Sequence, residues 1–329
     1  MTWIGSRSHH GATDSGTARR PRRLELNRRC SLPGVISPQA ATIRAGIVRA
    51  AIDSSASVLD ERNAWEAAAA ATPLPEWATE ELVEIGGVAC RLVRADGVSD
   101  RAPTIVYNHG GGFVSGSSLT TRVFGARLSA RTGAVVALVD YRLLPEHPFP
   151  SPLDDVVAVA RACAANGRGE VLWLGGDSSG AALAIGAAIA LRDFGIASVG
   201  GIVSICGAFD ATLSSPSIDD ADDPQLDRAQ LARWLTTVAP VADPFDPMMS
   251  PIYADVRGLP PALLLAGGDD VWRDDSTRMA ARLAVAGDTV ELHVVAGMWH
   301  CWPVWGEFPE ADAALGTVAG FMQRHGGAV

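Results

Sequence analysis

The chain has 329 residues, of which 48% are hydrophobic, and its net charge at pH 7 is −10. This length and apolar content suffice for one large domain with a small lid, since single domains can run well beyond ~150 residues. The acidic balance excludes the extended basic surface that nucleic-acid binding requires.

The N-terminal segment differs in composition from the rest of the chain. Residues 1–30 carry seven arginines and two acidic residues, which gives +5 and leaves −15 for the remainder. The segment is also rich in Ser, Gly and Thr, so residues 1–34 are predicted to be a disordered basic tail, either a true tail or sequence upstream of the natural start. It lacks the apolar central region of a signal peptide, so Arg19-Arg20 is not expected to be an export signal.

Two helices are predicted after this tail. The alanine-rich stretches around 40–52 and 58–71 have helical composition, and Pro73 and Pro75 end the second one. Residues 35–77 are therefore predicted to be a helical region.

A β-sheet is predicted to follow these helices. Residues 81–94 indicate a β-hairpin that turns at Gly86-Gly87. From 103 to 325, apolar runs of strand length alternate with helical segments, which predicts an α/β fold with a doubly wound, mostly parallel sheet flanked by helices. The longest apolar helix breaks at Arg192 and is too short to span a bilayer.

A glycine-rich segment, Asn-His-Gly-Gly-Gly-Phe at residues 108–113, follows the strand-like run 103–107. Three consecutive glycines let main-chain N–H groups approach a ligand closely, and an oxyanion hole requires donors about 2.7–3.1 Å from the developing charge. A flexible loop or a phosphate cradle would have a similar composition. A P-loop, however, needs a Lys-Ser/Thr pair, and this chain contains no lysine. The segment therefore favours an oxyanion hole.

The most informative motif is Gly-Asp-Ser-Ser-Gly at residues 176–180, which matches the G-x-S-x-G pattern of a nucleophile elbow. A strand-like run, 170–175, precedes it and a helix-like run, 181–191, follows it, as that motif requires. The glycines let strand and helix meet at a tight turn, so the Ser178 hydroxyl stands near the positive end of the helix. The pentapeptide alone could arise by chance in a chain with 34 glycines, but its context predicts a nucleophile at Ser178.

Two further loops at predicted strand ends carry acidic residues and a histidine. The apolar run 262–266 precedes Asp269 and Asp270, and the run 290–295 precedes His300. Ligands bind beyond the carboxyl ends of strands in open α/β sheets. Hydrolases with a nucleophile elbow carry Ser, then Asp or Glu, then His along the chain. His300 is the one histidine of seven with the spacing and context of a catalytic base.

An interruption of the strand–helix alternation at about 207–255 contains prolines, aspartates and a short predicted helix near 225–238, which indicates an insertion. Several tryptophans are candidates either for lining an apolar pocket or for core packing: Trp65, Trp77, Trp234, Trp299, Trp302 and Trp305.

These motifs, with the Asp-Tyr-Arg-Leu-Leu-Pro-Glu-His-Pro-Phe-Pro stretch at 140–150, resemble the hormone-sensitive-lipase-like esterases of the α/β-hydrolase superfamily. The resemblance extends over residues 35–325. It implies an α/β-hydrolase catalytic domain at 78–329, with a helical cap formed by residues 35–77 and the insertion at about 207–255. In the 140–150 stretch, we expect the prolines to fix a turn, and Arg142 and Glu146 to form a supporting ion pair.

The resemblance also implies roles for individual residues. Ser178 is the nucleophile and His300 is the general base and then the general acid. The D/E-x-L-x-D pattern of the family places the acid that orients His300 at Asp270, with Asp269 as the alternative one register away. Asp274 matches the second aspartate of the pattern and is expected, with Asp275, to begin the following helix. The oxyanion donors are expected to be the N–H groups of Gly111, Gly112 and Ser179. His109 and Gly110 are expected to support the loop that carries the two glycine donors.

The expected function is a serine carboxylesterase that hydrolyses short- to medium-chain acyl esters without a metal or cofactor. Amide hydrolysis or deacetylation of a small molecule on the same machinery is one alternative, and a non-catalytic ligand receptor is another. The expected partner is a small-molecule ester, with no nucleic acid and no membrane insertion, and a homodimer is left open.

The five cysteines are widely spaced, and no pair has the spacing of a metal site: Cys30, Cys90, Cys163, Cys206 and Cys301. They predict reduced, mostly buried thiols in a cytoplasmic protein. The position of Cys301 beside His300 raises the alternative of a thiol nucleophile, but the elbow is at Ser178.

Overall fold

The computed structural model of the protein describes residues 25–26, 36–47, 57–166, 171–196 and 198–326. The predicted tail lies outside these ranges apart from Glu25–Leu26, and so does the end of the first predicted helix, from residue 48.

A single mixed sheet organises the described chain. Its strands are β1 (Glu25–Leu26), β2 (Ala78–Ile85), β3 (Val88–Ala95), β4 (Thr104–Asn108), β5 (Val135–Val139), β6 (Leu172–Asp177), β7 (Val199–Ile205), β8 (Ala262–Gly267) and β9 (Val290–Val295). They lie in the order β1-β9-β8-β7-β6-β4-β5-β3-β2. β3 pairs antiparallel with β2 and with β5, and the other neighbours are parallel. The predicted α/β class and mostly parallel sheet are confirmed.

Helices cover both faces of this sheet. They are α1 (Pro38–Gly46), α2 (Val58–Ala71), α3 (Arg122–Thr132), α4 (Ser151–Asn166), α5 (Ser179–Asp193), α6 (Ser217–Asp220), α7 (Arg228–Val238), α8 (Arg273–Ala286) and α9 (Pro309–His325). Residues of α4, α5 and α8 belong to one hydrophobic cluster, and residues of α3 and α9 belong to a second one. The sheet therefore separates two cores.

The central strands and the helix behind β6 are almost fully buried. Every residue of β4, β5, β6 and β8 is buried, as expected for parallel strands covered on both faces. In α5, 12 of 15 residues are buried, and most of them are alanine, glycine or serine. Small side chains let this helix pack closely on the sheet. The start of the helix at Ser179, directly after Ser178, is therefore held against the end of β6.

The predicted hairpin is confirmed as β2 and β3, which pair from Ile85 with Val88 to Ala78 with Ala95. Its turn residues, Gly86 and Gly87, have φ of +62° and +83°. Positive φ at both central positions is characteristic of the two-residue turns that match strand twist.

The expectation that Arg142 and Glu146 form an ion pair with each other is wrong. Arg142 instead binds Asp155 on α4, with Nη2 2.8 Å from Oδ1 and Nε 2.9 Å from Oδ2. Glu146 binds Arg62 on α2 through two contacts of 2.7 and 2.8 Å. Each ion pair therefore has two contacts and links the 140–150 segment to a flanking helix. Through these pairs the segment, which follows β5, connects α2 and α4 to the sheet.

Helix α2 contacts the segments that follow β4 and β5, and it also contacts the predicted insertion. Arg62 also donates to the carbonyl oxygens of Val114 and Leu144. Glu61 forms an ion pair with Arg233 on α7, in which Oε1 lies 2.7 Å from Nη2. Helices α2 and α7 therefore lie together near the glycine-rich segment. Across the described ranges, no helix combines the length and apolarity that crossing a bilayer would require.

Candidate active site

Ser178 occupies the sharp turn between β6 and α5. Its φ and ψ are 54° and −123°, a conformation that costs a non-glycine residue about 1–3 kcal/mol and is typical of functional sites. A Cβ on Gly180 would collide with the carbonyl oxygens of Asn108 and His109, the latter 2.5 Å away. Glycine is therefore required where α5 begins against the end of β4. Ser178 N–H donates to Ile205 O at 2.9 Å, which fixes the turn to β7.

Asp270 and His300 are brought together from the loops after β8 and β9. His300 Nδ1 lies 2.9 Å from Asp270 Oδ1. Asp270 is fully buried, and its Oδ1 also accepts the Trp272 N–H at 2.9 Å. The neighbouring Asp269 instead pairs with Arg44 of α1 at 3.1 Å. Of the two aspartates considered, Asp270 is the one in contact with His300.

The charge of Asp270 changes the acidity of His300. Burial alone would lower the pKa of His300, but the negative charge and hydrogen bond of Asp270 outweigh it, so the pKa lies well above its ordinary 6.5. An imidazole in this setting is a strong proton acceptor, and its charged form is stabilised.

Two residues that the sequence did not single out hold the main chain of His300. Its N–H donates to Asp223 Oδ2 at 2.9 Å, and its carbonyl oxygen accepts from Gln225 Nε2 at 2.8 Å. Asp223 is fully buried, and burial together with the charge of Asp270 raises its pKa to about 6. Both residues lie in the insertion, and no local pattern marks them, because their role depends on a contact about 75 residues away along the chain.

The glycine-rich segment is held by its carbonyl groups. The Gly110 carbonyl oxygen lies 2.7 Å from His109 Nδ1, and the Gly111 carbonyl oxygen accepts from the Ser115 hydroxyl at 3.0 Å. In a trans peptide the N–H points opposite to the C=O. The N–H groups of Gly111 and Gly112 therefore point away from these partners, and neither donates to another described residue.

The segment is also anchored to the elbow. Gly110 N–H donates to Asp177 Oδ2 at 3.1 Å, and Phe113 N–H donates to Ser179 Oγ at 3.3 Å. Ser179 is the first residue of α5, where main-chain N–H groups have no partner within the helix. These two hydrogen bonds join the glycine-rich segment to the residues on either side of Ser178. The amides of Gly111, Gly112 and Ser179 therefore lie on segments that meet beside Ser178.

His109 has a local role in this segment. Tyr141 Oη donates to His109 O at 2.7 Å, and the two rings stack with centroids 4.2 Å apart. Burial lowers the pKa of His109 to about 4, so it is neutral near pH 7. Tyr107 Oη, in turn, donates to Asp177 Oδ1 at 2.8 Å and fixes the carboxylate that holds Gly110.

The other nitrogen of His300 faces two thiols. Nε2 lies 3.4 Å from Cys301 Sγ, and Cys206 Sγ belongs to the same cluster. Ser178 Oγ is not among the hydrogen-bond partners of His300 in the described chain. Catalytic hydrogen bonds are often long without substrate and tighten when it binds.

The six tryptophans considered for the pocket or the core fall into three groups. Trp65, Trp77 and Trp305 are exposed, so core packing does not account for them. Trp299 and Trp302 are fully buried in the cluster beneath α9. Trp234 of α7 donates from Nε1 to the carbonyl oxygen of Gly112 at 2.6 Å, so its indole lies beside the glycine-rich segment.

The chain also matches known proteins over most of its length. The sequence profile of a family described as alpha/beta hydrolase fold matches residues 105–304. An esterase of Acinetobacter venetianus is 31% identical over 247 residues, which span 73% of this chain and 80% of that protein. An acetyl-hydrolase of Streptomyces hygroscopicus is 33% identical over 251 residues, which span 74% of this chain and 82% of that protein.

A solved structure supports the same assignment. An esterase from the bacterial hormone-sensitive lipase family is 30% identical and superposes with a TM-score of 0.82, covering 89% of this chain and 100% of that one. Fold, sequence and motifs agree, and the chain belongs to the hormone-sensitive-lipase-like esterases of the α/β-hydrolase fold, which makes it a carboxylic ester hydrolase.

Proposed function

We propose that this esterase hydrolyses short- to medium-chain acyl esters with Ser178 as nucleophile, His300 as general base and Asp270 as the residue that orients His300. The observation that carries the proposal is the 2.9 Å contact between Asp270 Oδ1 and His300 Nδ1, on loops beside a serine at a strained elbow. With Nδ1 bound to a carboxylate, Nε2 is the nitrogen that accepts the serine proton.

The reaction proceeds in two halves. Ser178 Oγ attacks the ester carbonyl carbon as His300 Nε2 accepts its proton, and the resulting imidazolium protonates the departing alcohol. Water then attacks the acyl-enzyme, His300 accepts its proton and returns it to Ser178 Oγ, and the carboxylic acid is released. These steps use only groups of this chain and one water molecule.

The negative charge of both tetrahedral intermediates falls on the former carbonyl oxygen. We assign its stabilisation to the N–H groups of Gly111, Gly112 and Ser179, each worth about 2.7–4 kcal/mol of barrier. The free amides of the two glycines and the bond from Phe113 to Ser179 Oγ support this assignment.

Residues 35–77 and the insertion at about 207–255 are proposed to form the cap over this site. The ion pair between Glu61 and Arg233 supports a joint role, as does the bond from Trp234 to Gly112. If Trp234 keeps its bond to Gly112 with substrate bound, the indole would limit the length of acyl chain that the site accepts. The name acetyl-hydrolase of the Streptomyces relative agrees with a short chain.

The test is hydrolysis of p-nitrophenyl esters over a range of acyl lengths by the wild type and Ser178→Ala. We expect an optimum at short or medium chains and a loss of turnover on the order of 10⁶ in the variant. An acyl-serine adduct on Ser178, identified by mass spectrometry after rapid quenching, would establish the covalent intermediate. Activity that survives Ser178→Ala would refute the nucleophile, and preference for the matching p-nitroanilides would favour amide hydrolysis instead.

A further inference from the structure

Two cysteines and His300 form a compact buried cluster. One ligand atom from each of Cys206, His300 and Cys301 lies within 4.8 Å of the other two. Their exposed fractions are 0%, 5% and 6%. Since His300 Nδ1 is bound to Asp270, the nitrogen that faces the thiols is Nε2, 3.4 Å from Cys301 Sγ. The pairing of the two thiols could not be predicted from local patterns, because Cys206 and Cys301 are 95 positions apart and follow β7 and β9, which lie on either side of β8.

We propose that Cys206, His300 and Cys301 bind a soft divalent cation, Zn²⁺ or Cd²⁺, and that the bound ion inhibits the esterase by occupying Nε2 of His300. The inhibition rests on the proposed function, in which Nε2 accepts the serine proton. The binding itself depends only on the donor atoms.

The donor set suits such an ion. Two thiolates and an imidazole are ligands that Zn²⁺ and other thiophilic cations prefer. In a tetrahedral site with Zn–S near 2.3 Å and Zn–N near 2.0 Å, ligand atoms lie about 3.5–3.8 Å apart. The contact of 3.4 Å between Cys301 and His300 is already close to this separation. The remaining gaps, at most 4.8 Å, require a contraction of about 1 Å. A fourth position stays open for water.

The surroundings favour a cation. Asp270 bound to His300 Nδ1 creates the carboxylate–histidine–metal arrangement that orients imidazole ligands and raises their basicity. Asp177 Oδ2 lies 3.6 Å from Cys301 Sγ and adds a second carboxylate. Binding would replace the two thiol protons by the ion, and both protons would pass to solvent.

The two thiols are held in place by their backbone. Cys206 and Cys301 have φ of +50° and +52°, a region that few non-glycine residues occupy. Cys206 N–H donates to Leu265 O at 2.7 Å, which fixes the loop after β7 to β8. With the main chain of both loops constrained in this way, the contraction of about 1 Å falls to rotation of the side chains.

Cd²⁺ is the probe for the test, because thiolate ligation gives it an ultraviolet charge-transfer band. The reduced full chain, as wild type and as Ser178→Ala, is titrated with CdCl₂ while the band and ester hydrolysis are followed. We expect one equivalent to produce the band in both proteins and to abolish hydrolysis in the wild type, with EDTA restoring it. Cys206→Ser and Cys301→Ser should each weaken binding by about 100-fold or more.

Two matched variants serve as controls. Cys163→Ser alters a buried thiol on α4, and Cys30→Ser removes the cysteine that lies outside the described residues; both should bind Cd²⁺ as the wild type does. A band that persists in both Cys206→Ser and Cys301→Ser, or disappears in Cys30→Ser, would overturn the proposal.

The binding claim can also be tested without variants or activity. X-ray absorption at the cadmium edge of the loaded wild type should show two sulfur ligands, with the remaining positions held by the lighter nitrogen or oxygen atoms of His300 and water, and fewer than two sulfurs would refute the site. This measurement decides the matter if the cysteine variants fail to fold. If the wild type hydrolyses no ester, the proposed function fails, while the band and the sulfur count still test the metal site.

Discussion

The main-chain N–H of His300 donates to Asp223 Oδ2 at 2.9 Å, so a buried carboxylate of the insertion holds the proposed catalytic base from behind. Burial and the charge of Asp270 raise the pKa of Asp223 to about 6. Above that pH, its negative charge stabilises the protonated form of His300.

Asp223→Asn should therefore change the pH profile more than the maximal rate. Asparagine keeps one acceptor oxygen for the His300 N–H at the expense of the Gln225 and Leu226 N–H groups that bind Asp223 Oδ1. It lacks the charge, so the pKa of His300 falls and hydrolysis begins at lower pH. The kcat/KM profiles of variant and wild type should coincide below about pH 6, where Asp223 is protonated, diverge above it, and converge again at the pH where His300 is neutral in both. Asp222→Asn, at an exposed neighbour, is the control. Profiles that coincide over the whole range would show that Asp223 acts through its hydrogen bond alone.

Asp270→Asn should cost about 10⁴ in kcat, because an amide does not stabilise the imidazolium or select the correct tautomer. Asp269→Asn, which alters the carboxylate bound to Arg44, should change kcat by less than about tenfold. The comparison on one ester substrate identifies the acid. Similar losses in the two variants would contradict the assignment of Asp270.

Asp270→Asn should also change how the stability of the protein depends on pH. In the folded wild type the pKa of His300 is raised above 6.5. Its protonation therefore stabilises the fold fully below pH 6.5, and this contribution is lost as pH rises through the folded pKa. Asp270→Asn should flatten this part of the curve of unfolding free energy against pH, measured by urea denaturation. An unchanged slope would show that the two groups are not coupled.

Ser179→Ala should retain activity within about tenfold. The substitution removes the Oγ that accepts from Phe113 N–H at 3.3 Å but keeps the main-chain N–H assigned to the oxyanion hole. A neutral hydrogen bond of this kind contributes about 0.5–1.5 kcal/mol. A loss of 10² or more in kcat would mean that the hydroxyl itself contacts the reacting ester. Ser129→Ala, at a buried hydroxyl on α3, controls for general destabilisation.

Arg62→Ala should loosen α2 from the segments that follow β4 and β5. Arg62 binds Glu146 and the carbonyl oxygens of Val114 and Leu144, and leaving buried acceptors unsatisfied costs about 1–3 kcal/mol. We expect a lower Tm and a change in KM greater than the change in kcat. Glu146→Gln removes only the exposed partner and should have a smaller effect. Equal effects of the two variants would locate the contribution in the ion pair.

Much of this molecule could be predicted from local patterns. The sheet class, the hairpin at Gly86-Gly87 and the elbow at Ser178 follow from hydrophobic periodicity and glycine positions, which depend on neighbours in sequence. The contacts of Asp223 and Gln225 with His300 could not be predicted, because they arise between segments that meet only after folding. The partners of Arg142 and Glu146 were missed for the same reason, since nearness in sequence favoured a pair that the flanking helices prevent.

The segment proposed as part of the cap thus also supports the candidate active site, since Gln225 Nε2 donates to the carbonyl oxygen of His300 at 2.8 Å. Engineers who exchange this segment between related esterases to alter selectivity would also exchange the residues that hold the proposed general base. A chimera could fold, admit its ester and still turn over slowly because its imidazole has lost its alignment. Grafts that retain the Asp-Pro-Gln triplet at 223–225 would separate the choice of substrate from the chemistry performed on it.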